Sequence, residues 1–357
     1  MSTSPSMHST QHAYIEAIAA SASEWQDPEY PPRAEAVSAT LDAPNRFTEQ
    51  ATAFAINQQM AELSESALND WVEGSWTDDS RLVGVLNAGN IPFVGLQDLL
   101  AVVLTGHRYL GALSSKSPHL LPAFAEEVRQ DVPELPVAFA EADGLFEQAD
   151  AVIATGQDDT IRWVADQCAA YDISGDRRLL RGHRYGVAVI DGHESEDERE
   201  QLAEDMLLHE GAGCRSVAIV WAPSGLSPDP YLNAMAQFRG VFPVHPELPG
   251  TLQMQQAFLE ATDQSHAYGE GLEFLLSRGA PEPQRPGHIR WAEYDAMDDV
   301  THWLVEHEAA LQHVAARDDL AHQLDVPMPV APLGTAQRPA LDWQPDGHDT
   351  IAFLAGL

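Results

Sequence analysis

Residues Leu82 to Leu104 read LVGVLNAGNIPFVGLQDLLAVVL, and their pattern indicates the fold class. It opens with the short apolar run 83–86, passes through turn residues at 87–92, and continues with apolar residues at helical spacing over 94–104. A second short apolar run follows at 109–113. Strands that alternate with helices of about 10 to 15 residues are typical of parallel β-α-β units. The stretch therefore predicts the start of a parallel sheet.

The same alternation continues along the chain. Its spacing predicts helices over 118–128, 158–170 and 297 to about 316, and strands at 136–140, 151–154, 187–190, 216–221 and 288–291. A second α/β unit is expected to begin near residue 187. The helix after that strand opens with Ser195-Glu196-Asp197-Glu198, which fits the S-x-x-E capping box. The pattern predicts an α/β protein with two parallel sheets.

The N-terminal region follows a different pattern. Residues 1–45 are rich in Ser, Ala and Pro, and Pro31-Pro32 is expected to break any helix there. Steady helical periodicity begins only over residues 47–68.

The charge balance excludes whole classes of partner. Fifty-five Asp and Glu stand against 19 Lys and Arg, giving a formal net charge of −36, so nucleic acid and anionic membranes are repelled. The only lysine is Lys116, and the other 18 basic residues are Arg. So large a charge destabilises a compact chain unless salt screens it. We therefore expect a halophilic protein in a salt-rich cytoplasm, with a merely acidic mesophilic protein as the alternative.

The number of cysteines and the hydropathy of the chain indicate its cellular compartment. Two cysteines in 357 residues form no disulfide framework, which favours a reducing compartment. The first basic residue is Arg33, and no apolar segment precedes it, so a secretory signal is not expected. The most apolar stretch, 82–106, contains Asn, Gln, Asp and Pro and is too polar for a spanning helix of about 20 apolar residues. We expect a soluble, cytoplasmic protein without membrane insertion.

Cys214 is the first candidate for chemistry. The segment Gly211-Ala212-Gly213-Cys214-Arg215 places a thiol in a glycine-rich turn beside a cation, a setting that favours the nucleophilic thiolate. The alternative is a small buried core cysteine. Cys168 lies within a helical pattern and is expected to pack in the core.

Three parts of the sequence are candidates for contacts to the phosphate or ribose groups of a ligand. Lys116 lies between a predicted strand and a predicted helix, where α/β sheets bind ligands, although a chance surface lysine is the alternative. Thr155-Gly156 occupies the same kind of position and is expected to face a pyrophosphate. Arg177, Arg178, Arg181 and Arg184 form an arginine cluster that would face phosphates or form an internal salt-bridge network.

Other catalytic templates are absent from the sequence. It contains no H-E-x-x-H or C-x-x-C spacing, so no metal site is expected. The 15 histidines are expected to be mostly solvated.

Five motifs follow one another along the chain: Asn87-Ala88-Gly89-Asn90-Ile91-Pro92-Phe93, Ser114-Ser115-Lys116, Ala151-Val152-Ile153-Ala154-Thr155-Gly156, Val189-Ile190-Asp191-Gly192-His193-Glu194 and Gly211-Ala212-Gly213-Cys214-Arg215. Together they resemble the acyl-CoA reductase family of the LuxC type, a branch of the aldehyde dehydrogenase superfamily. The end of the chain, Gly334-Thr335-Ala336-Gln337-Arg338-Pro339 with Asp346-Gly347-His348-Asp349-Thr350, is also similar to the end of shorter members.

The resemblance implies a role for each matching residue. Cys214 matches the catalytic nucleophile, Asn90 the oxyanion donor, Lys116 the cofactor-ribose lysine, and Thr155-Gly156 the cofactor-phosphate turn. His119 stands where NAD-preferring relatives carry the Glu of a Lys-x-x-Glu pattern, which implies NADPH as cofactor with NADH as the alternative. At the position of the Glu-Leu-Gly-Gly segment that supplies a hydrolytic base, this chain has residues 181–184 without a carboxylate, which favours reduction of an acyl-enzyme.

The implied fold is aldehyde dehydrogenase-like, with a Rossmann-like cofactor domain and a catalytic domain. We expect an N-terminal helical or irregular region at 1–80, a nicotinamide-binding domain at 81–185, a catalytic domain at 186–325, and a C-terminal tail at 326–357 that returns toward the cofactor domain.

The implied activity is NADPH-dependent reduction of an acyl-CoA to an aldehyde through a Cys214 thioester. Aldehyde oxidation, acyl transfer through the same cysteine and a non-catalytic binding protein of the same fold are the alternatives. Assembly into a homo-oligomer stays open.

Salt is expected to stabilise the protein. Screening at about 1 M salt, where the Debye length falls to about 3 Å, relieves repulsion among the acidic side chains. The melting temperature measured in rising KCl should increase from dilute buffer to molar salt. A flat or falling curve would contradict the halophilic interpretation.

Overall fold

The computed structural model describes residues 9–357 as two compact units. The first contains the chain up to His183 together with Ala340–Leu357, and the second is Arg184–Pro339. The four predicted segments at 1–80, 81–185, 186–325 and 326–357 differ from these units and stay a prediction about domains. Among the described residues, no helix is long and apolar enough to cross a membrane.

Within the described part of the chain, four helices precede the first strand. They are α1 (Ser9–Glu24), α2 (Pro31–Leu41), α3 (Glu49–Glu62) and α4 (Glu65–Trp71). The expectation that Pro31-Pro32 breaks any helix is wrong, because these prolines occupy the first turn of α2. Proline is tolerated there, since its fixed φ suits a helix and its missing N–H would have no intrahelical partner. Side-chain oxygens of Thr48 and Ser64 cap α3 and α4.

The first sheet is five-stranded and parallel, in the order β3-β2-β1-β4-β5. Its elements run β1 (Leu82–Leu86), α5 (Leu96–Leu104), β2 (Arg108–Ala112), α6 (Leu120–Asp131), β3 (Val137–Phe139), α7 (Ala142–Leu145), β4 (Ala151–Thr155), α8 (Asp158–Ala170) and β5 (Arg178–Arg181). The prediction of a parallel β-α-β unit is confirmed. The chain reverses its direction of winding between β1 and β4, which makes this point the topological switch of the sheet.

The second sheet is seven-stranded, in the order β12-β11-β6-β7-β10-β9-β8, and only β8 is antiparallel to its neighbour among the described strands. Its elements run β6 (Tyr185–Val189), α9 (Glu196–Leu207), β7 (Val217–Pro223), α10 (Asp229–Val241), α11 (Leu248–Ala261), β8 (His266–Tyr268), β9 (Leu275–Arg278), β10 (His288–Tyr294), α12 (Met297–Glu306), β11 (Leu311–Ala315), α13 (Asp318–Ala321) and β12 (Val330–Ala331). The expected capping box of Ser195 and Glu198 begins α9.

The predicted long helix over 297–316 is wrong at its C-terminal end. Helix α12 stops before His307, and residues 311–315 form β11, which pairs in parallel with β6. A strand buried within a parallel sheet lacks the polar face that would give a period of two. Residues 311–315 read LQHVA, which is neither a continuous apolar run nor a strict alternation of apolar and polar residues, so the sequence carries no local signal for this strand.

The last helix, α14 (Thr350–Ala355), belongs to the first unit, and a buried ion pair connects it to the sheet. Arg181 Nη1 donates to both oxygens of Asp98 on α5, at 2.8 and 2.9 Å, and its Nη2 donates to Thr350 Oγ1 at 2.6 Å. All three residues are buried. The expectation that Arg181 faces a cofactor phosphate is therefore wrong, because both terminal nitrogens of its guanidinium are hydrogen-bonded inside the protein.

Removing Asp98 should destabilise the first unit strongly. Asp98→Ala leaves the Arg181 charge buried without its carboxylate, a loss of about 3–5 kcal/mol in the free energy of unfolding. The matched control is Asp159→Ala, whose pair with Arg162 is exposed and should contribute less than about 1 kcal/mol. Urea unfolding measures both. Equal losses in the two variants would show that the buried pair contributes no more than a surface pair.

Candidate functional site

Three of the predicted motifs meet at one edge of the first sheet. Residues 87–90 follow β1, Lys116 follows β2 and Gly156 follows β4, and these strands are neighbours in the parallel sheet. The carboxyl ends of parallel strands lie at the same edge, and ligands bind there beside the switch point. The structure thus places Asn90, Lys116 and Thr155-Gly156 along one edge of the first sheet, at the carboxyl ends of three neighbouring strands.

The turn that carries Asn90 is held at both ends. Asn87 Nδ2 donates to Tyr109 Oη at 2.9 Å and to the Ala112 carbonyl at 3.2 Å. Phe93 adopts φ of 59°, an uncommon value for a bulky residue, and its fully buried ring stacks on Trp25 with centroids 5.7 Å apart. Asn90 itself is exposed. Core packing therefore stabilises a strained turn that presents Asn90 to solvent.

The Lys116 loop lies directly against this turn. A Cβ added at Gly89 would stand 2.0 Å from Ser114 Oγ and 3.3 Å from Lys116 Cβ, so only glycine permits the approach. Asn45 Nδ2 donates to the Lys116 carbonyl at 2.9 Å. The Lys116 side chain is exposed, as is His119 at the start of α6. Both side chains are therefore accessible to a ligand at the sheet edge.

The turn after β4 fits an anion less well than expected. The Gly156 N–H already donates to the Arg181 carbonyl at 3.2 Å. Asp158 and Asp159 occupy the first turn of α8, and their negative charge opposes a phosphate at that helix N-terminus. The geometry argues against Gly156 as an amide donor to a pyrophosphate.

The arginine cluster does not form one phosphate-binding surface. Arg181 is buried in its ion pair, Arg178 Nη1 donates to the Ala165 carbonyl at 3.2 Å, and Arg177 is exposed. Arg184 belongs to the second unit, where its Nη1 donates to the Leu311 carbonyl at 3.2 Å. Arg181 therefore belongs to an internal salt-bridge network, the alternative stated above. Of these four arginines, only Arg177 is exposed.

Cys214 lies in the second unit, in the turn that leads into β7. Three consecutive residues before it, His209, Glu210 and Gly211, have φ values of 53°, 57° and 72°. Left-handed conformations at two non-glycine residues store strain of the kind found at functional sites. Cys214 is half-buried, whereas Cys168 is fully buried in α8, as expected.

The charge beside Cys214 comes from Arg215. Burial lowers the pKa of Arg215 below its ordinary value, and attraction to Cys214 and Asp205 offsets only part of this effect. Arg215 Nε donates to the Ala336 carbonyl at 2.7 Å, and its Nη2 donates to the Thr335 carbonyl at 2.9 Å. The guanidinium is therefore fixed in place next to the candidate nucleophile.

Sequence reasoning missed two groups near this turn. Burial raises the pKa of Asp205 to about 7, although N–H groups of Gly334 and Ala336 bond to its carboxylate. Burial and then Arg215 lower the pKa of His313 to about 3, so this imidazole is neutral at pH 7. His313 lay in the stretch predicted as helix. It is buried, as are His107 and His288, whereas the other described histidines are at least partly exposed, as expected.

Part of the chain matches a known protein family. Residues 75–230 match the family model described as Acyl-CoA reductase (LuxC). That confirms the resemblance found in the sequence motifs. The matched stretch includes Asn90, Lys116, Thr155, Gly156 and Cys214. The search of curated proteins gives no match.

Solved structures place the fold among aldehyde dehydrogenases. An oxidoreductase from Marinobacter aquaeolei is similar over 98% of this chain and 82% of its own, with a TM-score of 0.71 and 10% identity. The indole-3-acetaldehyde dehydrogenase AldA of P. syringae, solved with NAD+, is similar over 90% of this chain and 76% of its own, with a TM-score of 0.67 and 13% identity. The prediction of an aldehyde dehydrogenase-like fold is confirmed. Within residues 9–357, no group of three or more His, Cys, Asp or Glu side chains is arranged to hold a metal ion.

The contact between the Asn90 and Lys116 loops can be tested by filling it. Gly89→Ala should lower the free energy of unfolding by about 1–3 kcal/mol, because its methyl group overlaps Ser114. Ser114→Gly in the same chain should recover most of the loss. Gly144→Ala, where nothing lies within 4 Å, is the control and should cost nothing. Urea unfolding checks the series, and failure of Ser114→Gly to compensate would contradict the described contact.

Proposed function

We propose that the protein reduces an acyl-CoA thioester to an aldehyde with NADPH, through an acyl thioester on Cys214. The observation that carries the proposal is a half-buried thiol in a strained turn beside a fixed guanidinium. A family match that includes this turn supports it. The fold and the family match support the more general statement that the protein is an oxidoreductase acting on aldehydes.

In the proposed reaction, the Cys214 thiolate attacks the thioester carbonyl, a carbon–sulfur bond to the enzyme forms, and coenzyme A leaves as its thiolate. The side-chain amide of Asn90 is assigned as a donor to the oxyanion that develops on the carbonyl oxygen. Arg215 favours the attacking thiolate. After reduction, the tetrahedral alkoxide on Cys214 re-forms a carbonyl, the carbon–sulfur bond to the enzyme breaks, and the aldehyde departs as the Cys214 thiolate is regenerated.

At the edge of the first sheet, the Lys116 loop suits a nicotinamide cofactor, whereas the N-terminus of α8 does not. The exposed Lys116 ammonium, in the loop after β2 at the carboxyl edge of the sheet, suits ribose or phosphate oxygens. The α8 N-terminus, with Asp158 and Asp159, does not suit a pyrophosphate. When bound, the reduced nicotinamide would supply a hydride to the acyl carbonyl.

The composition of residues 181–184 favours reduction of the acyl-enzyme over its hydrolysis. The segment carries no carboxylate to activate a water, and Arg181 is committed to Asp98. The acyl-enzyme would therefore persist until a hydride donor reaches it.

Replacement of the two cysteines separates chemistry from packing. Cys214→Ala should abolish aldehyde formation from acyl-CoA and NADPH while the melting temperature stays near that of the wild type. Cys168→Ala is the matched control and should keep its activity. In the wild type, aldehyde, free coenzyme A and oxidised cofactor should appear in equal amounts. Retained aldehyde formation by the Cys214 variant would end the proposal, and acyl transfer without cofactor oxidation would indicate an acyltransferase.

Position 119 should set the cofactor preference. A Glu there would accept hydrogen bonds from ribose hydroxyls and repel a 2′-phosphate, so His119→Glu should shift the ratio of kcat/KM values from NADPH toward NADH. Lys116→Ala should weaken binding of both cofactors, because its ammonium contacts what they share. Fluorescence titration measures the affinities. An unchanged ratio in His119→Glu would exclude position 119 as the discriminator.

A further inference from the structure

The loop 87–95, here called the Asn90 loop, connects β1 to α5 and carries Asn90 near its middle. Its beginning is bonded twice to the end of β2. The N–H of Asn87 donates to the Ala112 carbonyl at 3.0 Å, and Nδ2 of the same residue donates to that carbonyl at 3.2 Å. The first residue of the loop is therefore fixed to the neighbouring strand by its main chain and by its side chain.

The last residue of the Asn90 loop packs on the same carboxamide. Gly95 precedes α5 with φ of 95°, a left-handed value that favours glycine. A Cβ added at Gly95 would lie 2.0 Å from Asn87 Oδ1, so the Gly95 main chain lies directly against the Asn87 side chain. That oxygen is buried. One carboxamide thus connects the two ends of the loop to each other and to the edge of the sheet.

The other acceptor of the Asn87 carboxamide is itself held in the sheet. Tyr109 on β2 is fully buried, and its Oη accepts from Asn87 Nδ2 at 2.9 Å. A Cβ added at Gly111 would lie 2.7 Å from this Oη, so the phenol packs against the main chain of β2. Burial raises the pKa of Tyr109, so its hydroxyl is neutral at pH 7. Asn87 therefore donates to an acceptor that neither moves nor titrates in this range.

The rest of the Asn90 loop is packed on both sides of Asn90. Before it, the Gly89 main chain lies against Ser114, as described above. After it, the buried Phe93 ring stacks on Trp25. Asn90 lies between these contacts and is exposed, so the position of its Cα is set by the loop backbone on either side.

We propose that Asn87 is a positioning residue for acyl transfer, because its carboxamide fixes the loop that presents Asn90 to the oxyanion. The proposal rests on the oxyanion role of Asn90 proposed above. An oxyanion donor must lie about 2.7–3.1 Å from the developing charge, and a displacement of about 1 Å can cost about 100-fold in rate. Asn87 acts on the rate through the geometry of the loop.

The first test is the single-turnover rate of coenzyme A release from acyl-CoA by the full chain. Asn87→Ala removes the side-chain hydrogen bonds, and its maximal rate should fall by about 10-fold to 100-fold. The half-saturating acyl-CoA concentration should stay within about twofold of the wild type, because the oxyanion forms only in the transition state. An unchanged maximal rate would overturn the proposal.

Asn69→Ala is the matched control. Its carboxamide donates to the Glu65 carbonyl at 2.7 Å within α4, so the same substitution removes a side-chain hydrogen bond without touching the Asn90 loop. Its maximal rate should equal that of the wild type. A loss equal to that of Asn87→Ala would show a general effect of lost stability and would overturn the positioning role.

A double-mutant cycle with Asn90→Ala separates positioning from a merely structural role. If Asn87 acts through Asn90, the double variant should release coenzyme A at the rate of Asn90→Ala alone, because the donor that Asn87 positions is already gone. The drop in melting temperature caused by Asn87→Ala should be the same in both backgrounds. Rate losses that multiply in the double variant would overturn the proposal.

Hydrogen exchange of the Asn90 loop, followed by mass spectrometry, needs neither acyl-CoA nor nicotinamide. Asn87→Ala should speed amide exchange in residues 87–95, and Asn69→Ala should not. A wild type that releases no coenzyme A would end the proposed function, whereas unchanged exchange in an active Asn87→Ala protein would end this inference alone. If Asn87→Ala does not fold, Tyr109→Phe decides. It removes one acceptor and should give a smaller rate loss that disappears in the Asn90→Ala background, and a wild-type rate would overturn the proposal.

Discussion

A carboxylate that leaves water must be paired or hydrogen-bonded, and this requirement determines how the C-terminal part of the chain is used in both units. In the first unit, Asp98 pairs with Arg181, which also bonds to Thr350. In the second, Asp205 accepts main-chain N–H groups from Gly334 and Ala336. Both carboxylates lie on helices that flank the sheets, and each connects its helix to a segment far along the chain. Each of these two carboxylates therefore anchors a C-terminal segment within its own unit.

The parts of the fold that could be predicted are those with a local cause. Short apolar runs that end in polar or turn-forming residues predicted β1, β2 and β4, and the observed α8, Asp158–Ala170, has the predicted bounds. The three loops at the carboxyl edge follow from this, since parallel strands end at the same side of a sheet. Asn90, Lys116 and Thr155 could thus be placed at one edge without knowledge of any tertiary contact.

What could not be predicted depends on partners distant in sequence. The strand nature of residues 311–315 depends on β6 beside it, and the commitment of Arg181 depends on Asp98 and Thr350. Nothing within residues 177–184 distinguishes an arginine that faces phosphate from one that is buried in an ion pair. For the same reason, the sequence showed Arg215 as a cation next to Cys214 but gave no sign of the carbonyls that orient it.

The account rests on Cys214 as the residue that carries the acyl group. The most direct measurement is the intact mass of the protein after incubation with a panel of acyl-CoAs in the absence of nicotinamide, followed by peptide mapping. The account predicts one added acyl group, located on Cys214 and removed when NADPH is supplied. Aldehyde formation without any acyl adduct, or an adduct located on another residue, would contradict it.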